Sequence, residues 1–158
     1  MIRHALYALS MMTAFVAPAY ASGLTATQSV QRMVVTEDTN GSEKVAFVAA
    51  ETVAPGDRVF FSIDYVNDND TPAANVQFVM PVPVEIAYVE NSATGSGANV
   101  AFSADGGKTF APRGELSITV DGQARMALAE EISHIRWTFS GDIAAGAIGD
   151  VGYLGLLK

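Results

Sequence analysis

Residues 54–88, APGDRVFFSIDYVNDNDTPAANVQFVMPVPVEIAY, decide the fold of this chain. After the turn at residues 55–57, apolar and polar side chains alternate over residues 58–66. This period of two is typical of a strand with one buried face. A polar segment, residues 67–72, interrupts the pattern before a second strand at residues 75–80, which ends at prolines because proline cannot donate to a strand ladder. Two half-buried strands need a second sheet over their apolar faces, so the stretch predicts two facing sheets.

Further short strands are predicted on both sides of this stretch. Residues 30–36 and 44–53 flank an Asn40-Gly41 turn, and the second segment is apolar on both faces, which favours a central, covered strand. The other predicted strands are residues 86–89, 100–103, 116–120, 134–140 and 151–157. No amphipathic run of helical length occurs. About eight strands with regular turn signals predict an all-β fold, an immunoglobulin-like antiparallel β-sandwich with Greek-key connections.

The alternation also predicts which side chains lie inside. The expected interior residues are Trp137, Phe61 and Tyr65, and the expected outward ones are Arg136 and Asp64. The final strand, residues 151–157, is too apolar for an exposed ribbon. We expect it to pair inside a sheet, beside residues 135–139, because antiparallel neighbours are usually joined by short connections.

The N-terminal segment has the features of a secretory signal peptide. Arg3 precedes an apolar run at residues 5–16, and Ala19-Tyr20-Ala21 is a small-x-small cleavage site. We predict a signal peptide at residues 1–21, a flexible lead-in at residues 22–28 and one sandwich domain at residues 29–158. The alternative is an N-terminal membrane anchor. The chain has no cysteine, so the core must be stabilised by packing without disulfides.

Export and charge limit the expected partners. The predicted location is the periplasm, the cell surface or the extracellular space, with no transmembrane segment in the mature chain. A net charge of −8 at pH 7 disfavours nucleic acid and anionic lipid. An envelope or extracellular protein is the remaining expected partner.

The acidic turn is the candidate cation site. Asp64, Asn67, Asp68 and Asp70 bring together oxygen atoms of the kind that Ca²⁺ prefers. The spacing lacks the glycine and the bidentate glutamate of an EF-hand loop, so a solvated turn is the alternative. Calcium is therefore the one cofactor that the sequence suggests.

The remaining polar motifs do not assemble a catalytic set. Residues 103–110 match the pattern S-x-D-x-G-x-T-aromatic of an Asp-box, which in other folds stabilises a hairpin and carries no chemistry. His134 is the only histidine after the predicted cleavage site, too few for a His-rich zinc site. Glu130 and Glu131 are adjacent, and adjacent carboxylates rarely converge. We therefore expect no enzymatic activity.

Several short motifs, taken in order, resemble a known family. They are Pro55-Gly56-Asp57, Tyr65-Val66-Asn67, Ala74-Asn75-Val76, Met80-Pro81-Val82-Pro83, the segment FSADGGKTF at residues 102–110, Ile135-Arg136-Trp137 and Ala145-Gly146. In this order they are similar to a bacterial and archaeal surface repeat, the domain of unknown function eleven, here as a single copy from about residue 45 onward. The resemblance implies an immunoglobulin-like sandwich in exported or envelope-associated proteins, and it implies no catalytic residues.

Three hypotheses for function follow. The first is an exported, non-enzymatic β-sandwich module with a structural or adhesion role in the cell envelope. The alternative is a soluble periplasmic domain that binds a ligand or calcium at the acidic turn. The third is a hydrolase whose site forms only in space.

Overall fold

The computed structural model describes residues 24–37 and 39–158. The predicted signal peptide lies outside the described residues and stays a prediction. The strands are β1 (Leu24–Glu37), β2 (Glu43–Ala49), β3 (Arg58–Asn67), β4 (Gln77–Pro81), β5 (Ile86–Tyr88), β6 (Thr94–Gly95), β7 (Ala98–Ser103), β8 (Ser117–Val120), β9 (Gln123–Met126), β10 (His134–Phe139) and β11 (Ile148–Leu157). Two single-turn 3-10 helices, Arg113–Glu115 and Ala129–Glu131, are the only helical elements in these residues. The predicted all-β class is confirmed.

Two antiparallel sheets pack together into a sandwich. The larger sheet has the order β2-β1-β3-β11-β5, with β6 also paired to β11, and the smaller has the order β4-β10-β7. Strands β8 and β9 form a separate hairpin. The chain passes between the two main sheets after β3, β4, β6 and β10. Each sheet therefore consists of strands that are distant in the sequence, and neither is complete without the other.

The core lies between the sheets where the alternation places it. Phe61 and Tyr65 of β3 are buried, and Trp137 of β10 has no exposed surface, as predicted. The indole N–H of Trp137 donates to the carbonyl oxygen of Thr94 at 2.8 Å, which satisfies the one polar atom of that ring. The Tyr153 hydroxyl donates across the core to the carbonyl oxygen of Pro81 at 2.9 Å. Burial raises the pKa of Tyr153 far above its ordinary value, so the hydroxyl stays protonated and remains a donor.

The outward prediction holds for Asp64, which is exposed. Arg136 also lies on the outer face of its strand, but it is half-buried. Its guanidinium carbon lies 4.3 Å from the centroid of the Phe110 ring, a cation–π contact that covers the side chain. The segment after β7 thus folds back over the outer face of the smaller sheet.

Two predictions about the ends of the domain need correction. Strand β1 begins at Leu24, which pairs with Asn67 of β3, so residues 24–28 are not a flexible lead-in. Strand β11 does pair inside a sheet, but the strand with which it forms most of its pairs is β3 and not β10. The reason is packing, because the buried Val151 and Tyr153 of β11 must cover the inner face of the sheet that contains β10. A strand that covers another from the opposite sheet cannot also be its hydrogen-bonded neighbour.

The prediction for residues 44–53 is also wrong in one respect. Residues 44–49 lie in β2, but β2 is the edge strand of the larger sheet and is mostly exposed. Val53 lies beyond the strand and is buried in the core. The apolar character of β2 on both faces therefore reflects an uncovered hairpin.

Candidate interaction surface

The hairpin of β1 and β2 extends beyond the body of the sandwich. Strand β1 pairs with β3 only as far as Arg32, which lies opposite Val59. Its pairing with β2 starts at Gln31 and continues to Glu37, which lies opposite Glu43. Only Gln31 and Arg32 are therefore flanked on both sides, and residues 33–37 with their partners form a two-stranded ribbon. A ribbon of two strands has little stability by itself in water.

Large apolar side chains are exposed on this ribbon. Val35 is 53% exposed, Val45 is 52% exposed and Phe47 is 44% exposed. Val35 and Val45 lie directly opposite each other, and Phe47 lies two pairs closer to the sandwich, on the same face. The opposite face exposes Val48 as well. Because contiguous apolar exposure is uncommon on monomeric proteins, these residues form a candidate interaction surface.

Phe60 joins this exposed ribbon to the outer face of the larger sheet. Its ring centroid lies 5.2 Å from that of Phe47, with the rings tilted by 42°. On its other side the Phe60 ring lies over Gly152 of β11, where an added Cβ would come within 2.6 Å of its Cζ. The absence of a side chain at Gly152 thus lets the ring lie flat across the neighbouring strand. We call Val35, Val45, Phe47 and Phe60 the hairpin patch.

Strand β2 also presents a long free edge. All seven of its residues pair with β1 on one side, and no described strand pairs with it on the other. The strand contains no proline or glycine, and Lys44 is its only basic residue. Edges of this length are usually blunted by proline, bulges or several charges. The edge and the hairpin patch meet at Val45 and Phe47.

The charges around the hairpin patch lie at its borders. At the tip, Glu37 and Glu43 face each other across the hairpin, an arrangement that costs stability. At the base, the Arg32 guanidinium lies 3.9 Å from the Asp57 carboxylate, which also accepts a hydrogen bond from the backbone N–H of Ala54 at 2.8 Å. The centre of the patch carries no charge, as is usual in the core of a protein interface.

The acidic turn has a structural use at its first residue. Asn67 has no exposed surface, and its side-chain amide donates to the carbonyl oxygens of Thr71, Ile143 and Ala144 at 3.0, 2.9 and 3.1 Å. Its amide oxygen accepts from the backbone N–H and the side-chain amide of Asn69, both at 3.2 Å. Asn67 therefore fixes the turn to the loop before β11 and already uses the oxygen that a cation would need.

The other predicted calcium ligands are divided between strand β3 and the turn that follows it. Asp64 is in the middle of β3, between Thr27 and Asp150 of the adjacent strands. Asp68 accepts a hydrogen bond from the Thr25 hydroxyl at 3.1 Å, and Asp70 is exposed. Across residues 24–37 and 39–158, no three His, Cys, Asp or Glu side chains come together in a group suited to a metal ion. The structure thus keeps Asp68 and Asp70 at the turn and separates Asp64 from them.

The Asp-box segment stabilises its own loop, as the sequence predicts. The Asp105 carboxylate accepts from the Thr109 hydroxyl at 2.6 Å, from the backbone N–H groups of Lys108 and Thr109, and from the Ser103 hydroxyl at 2.7 Å. These hydrogen bonds, led by the one from the Thr109 hydroxyl, hold the pKa of Asp105 well below its ordinary value. The loop closes with a single bridge between Phe102 and Ala111. Asp105 is therefore fully engaged in structure.

His134 lies beneath the same loop. Its Nδ1 is 3.3 Å from the Ser133 hydroxyl, and its ring lies close under Gly107. Burial lowers the pKa of His134, and the charge of Asp105 partly offsets that shift. The Ser133 hydroxyl in turn donates to the Ser103 carbonyl oxygen at 3.1 Å and accepts from the N–H of Gly106. These contacts tie the loop to β10.

A shallow pocket of about 290 Å³ opens at one end of the sandwich. Tyr65 and Phe139 form its apolar side, with ring centroids 5.4 Å apart in an edge-to-face contact. Asp142 and the backbone around Gly97 form its polar rim. Burial, followed by the charge of Asp150, raises the pKa of Tyr65, so its hydroxyl is protonated near neutral pH. The pocket is wide open and small, which suits solvent better than a ligand.

No helix in residues 24–37 or 39–158 has the length and apolar character needed to cross a membrane. Comparisons with protein-family models, with curated proteins and with solved structures found no match to the chain. The resemblance to the surface-repeat family therefore stays a prediction.

Sequence reasoning missed the hairpin patch, although a signal was present. The turn at Asn40-Gly41 lies where the sequence predicts it. The apolar residues on both faces of β2 favour, by sequence alone, a strand covered on both faces by other elements. Phe60 was overlooked because it lies on the outward side of β3, between the inward Val59 and Phe61. Phe60 is an apolar residue at an outward position of an alternating strand, and that departure from the alternation is the sequence signal for an apolar outer surface.

Proposed function

We propose that this chain is an exported, non-enzymatic β-sandwich module that acts through its surface, as a structural or adhesion component of the cell envelope. The observation that carries the proposal is the exposure of Val35, Val45 and Phe47 on a ribbon that the sandwich does not cover. An apolar ribbon with two free edges is costly for an isolated molecule and becomes stable when another surface covers it.

The non-enzymatic part of the proposal is supported by the use of the polar residues. Asp105 holds a loop, Asn67 holds a turn, and Arg136 is stacked against Phe110. The ring of His134 contacts the Ser133 hydroxyl, and no carboxylate among residues 24–37 and 39–158 forms a hydrogen bond with that ring. The export part of the proposal is supported by the signal-like pattern of residues 1–21.

Site-specific photo-crosslinking in the producing cells tests the proposal. A photo-reactive amino acid in place of Phe47 should give an adduct with an envelope protein in the envelope fraction. The same group in place of Val120 is the matched control, because Val120 is also an exposed strand residue, 40% exposed, on the separate β8–β9 hairpin. Adducts that are the same from both positions, or a free monomer with no adduct, would overturn the proposal.

The competing hypothesis is calcium or ligand binding at the acidic turn. Asp68 and Asp70 supply carboxylates at that turn, but Asn67 can join them only by giving up its bonds to Asn69. Thermal melting with Ca²⁺ and with a chelator tests this hypothesis. Calcium at about 100 times its dissociation constant should add about 2.7 kcal/mol of stability. Identical melting curves would remove the hypothesis.

A further inference from the structure

We propose that the free edge of β2 is a self-association site, where two copies of this chain pair antiparallel about a two-fold axis at Ala46. The inference rests on the proposed function and names a second copy as the occupant of the hairpin surface. Three features of the described residues carry it: the unpaired edge, the arrangement of side chains about Ala46 in β2 and the position of the hairpin patch.

The first feature is the unpaired edge. Strand β2 uses the backbone groups on one side for β1 along its whole length, Glu43–Ala49. The groups on the other side face no described strand. The ribbon it belongs to has its apolar residues exposed on both faces, so a third strand would give it the support that a two-stranded ribbon lacks.

The second feature is the arrangement of side chains on either side of Ala46 in the strand sequence, EKVAFVA. Full overlap of two antiparallel copies places Val45 of each copy opposite Phe47 of the other, on the outer face. Lys44 then lies opposite Val48, and Glu43 lies opposite Ala49. An aromatic residue opposite a β-branched residue is a favourable cross-strand pair, and no like charges face each other in this register.

Other registers are less favourable for the same residues. In a register shifted by one position, Val45 and Phe47 of one copy lie on one face of the shared sheet and those of the other copy lie on the opposite face, because side chains alternate with a period of two. A shift of two positions keeps the faces but shortens the overlap from seven residues to five. In one direction it places Glu43 opposite Phe47, and in the other it places Phe47 opposite Phe47 and Val45 opposite Ala49, so neither shift keeps the two Val45–Phe47 pairs. The full overlap is thus the register that the side chains select.

The third feature is the position of the hairpin patch beside the edge. In the paired arrangement the Phe47 rings of both copies lie next to the axis, on one face of one continuous sheet. Each Phe60 ring lies on the same face, with its centroid 5.2 Å from that of Phe47 in its own copy. The interface is then isologous, because each copy contributes the same residues to it. The two patches merge into one apolar surface, and the charged tips at Glu43 lie at opposite ends.

The net charge of the chain gives this association a distinctive salt dependence. Each copy carries a net charge of −8, so the two bodies repel each other at long range. Salt screens that repulsion, with a Debye length of about 8 Å at physiological ionic strength. Self-association should therefore strengthen as salt is added, whereas binding of a basic partner to this acidic chain would weaken.

A single cysteine provides the direct test, because the chain contains none. Residues directly opposite each other in antiparallel strands have Cα atoms about 4.5–5.5 Å apart, which lies within the range that a disulfide tolerates. Ala46→Cys should therefore form a covalent dimer of the purified full chain on mild oxidation. Val84→Cys, at an exposed loop position that is 80% exposed, is the control and should remain mostly monomeric.

Sedimentation equilibrium of charge variants supplies the second test. Val45→Glu removes two cross-strand pairs per dimer and brings a carboxylate to each, so it should weaken dimerisation at least about tenfold. Val35→Glu makes the same chemical change on the same face but one strand away from the edge. It should change the dissociation constant of the dimer less than about threefold. Native fluorescence of Trp137, the only tryptophan, confirms that each variant is folded.

The outcomes separate this inference from the proposed function. A chain that stays monomeric up to about 1 mM, with no Ala46→Cys dimer, overturns the inference. Equal weakening by Val45→Glu and Val35→Glu also overturns it, since that result indicates contact through the face and not the edge. If an envelope protein is still crosslinked from position 47 in either case, the proposed function stands. If a photo-reactive amino acid in place of Ala46, used in the producing cells, captures only a different protein, the edge belongs to that protein and self-association is overturned.

Discussion

Replacement of Asn67 by aspartate should destabilise the protein strongly although the side chain keeps its shape. The amide of Asn67 donates to three carbonyl oxygens, those of Thr71, Ile143 and Ala144, at 2.9–3.1 Å. An amide has two hydrogens, so one of them is shared between two acceptors. A carboxylate in the same place has no hydrogen to donate and directs its charge at those three oxygens.

The magnitude follows from the burial of the residue. Asn67 has no exposed surface, so the new carboxylate would be a buried charge without a cation. The whole change costs about 3–5 kcal/mol, because it leaves an uncompensated buried charge, and the two lost hydrogen bonds account for about 1 kcal/mol each of that total. At an m-value of about 2 kcal/mol per molar, the urea midpoint should fall by about 2 M.

The pH dependence of the variant has a definite sign. The introduced carboxyl has a folded-state pKa raised above its unfolded value of about 3.9, because both burial and the carbonyl oxygens disfavour its charged form. A raised folded-state pKa contributes stability at low pH that is lost as the pH rises. The deficit of Asn67→Asp should therefore be smallest below about pH 4 and should grow toward neutral pH.

Urea denaturation followed by Trp137 fluorescence measures these effects, since that ring is fully buried in the native state. Asp68→Asn is the matched control: it makes the reverse chemical change at the neighbouring exposed residue and should change stability by less than about 0.5 kcal/mol. A midpoint of Asn67→Asp equal to that of the native chain would refute the reasoning.

Three further predictions concern other parts of the fold. Trp137→Ala should lower the free energy of unfolding by about 3–5 kcal/mol, because the ring has no exposed surface. Far-UV circular dichroism during urea denaturation measures this loss. A loss below about 1 kcal/mol would contradict the packing of the ring. The hydrogen bonds from Arg125 lower the pKa of Glu131 from 4.5 to about 2. The pair therefore stabilises the fold fully above pH 4.5, and this stabilisation is lost as the pH falls toward 2. Arg125→Gln should raise the pKa of Glu131, and NMR titration of the carboxyl group measures the change. Asp105→Asn should lower the pKa of His134 further below its ordinary 6.5, because the Asp105 carboxylate opposes the effect of burial. An unchanged NMR titration of the imidazole would contradict this effect of Asp105 on His134.

The fold class was predictable because it depends on local alternation. Phe61 and Tyr65 are buried and Asp64 is exposed because successive side chains of a strand point to opposite faces, a rule that requires no knowledge of the partner strand. The pairing of β11 with β3 was not predictable in the same way. It depends on which sheet must cover Trp137, and that is a property of the whole sandwich.

The candidate site shows the same limit of sequence reasoning. The apolar residues of β2 were evident in the sequence, but apolarity does not say whether a strand is covered or uncovered. The role of Asn67 was hidden for another reason, because two of the carbonyl oxygens it binds belong to Ile143 and Ala144, far along the chain. An oxygen-rich turn in a sequence does not reveal which of its oxygens are already in use.

The antiparallel pairing of β1 and β11 with the central β3 has a mechanical consequence. Because both pair antiparallel with β3, β1 and β11 run in the same direction, with Leu24 beside Asn67 at one end of β3 and Leu156 beside Arg58 at the other. A pull applied through the start of β1 and the end of β11 would load the intervening hydrogen bonds in shear, since those bonds run perpendicular to the strands. Bonds loaded in shear share the force and break together, whereas bonds that are unzipped break one at a time. Tension along this line would therefore meet the most extensively paired part of the molecule.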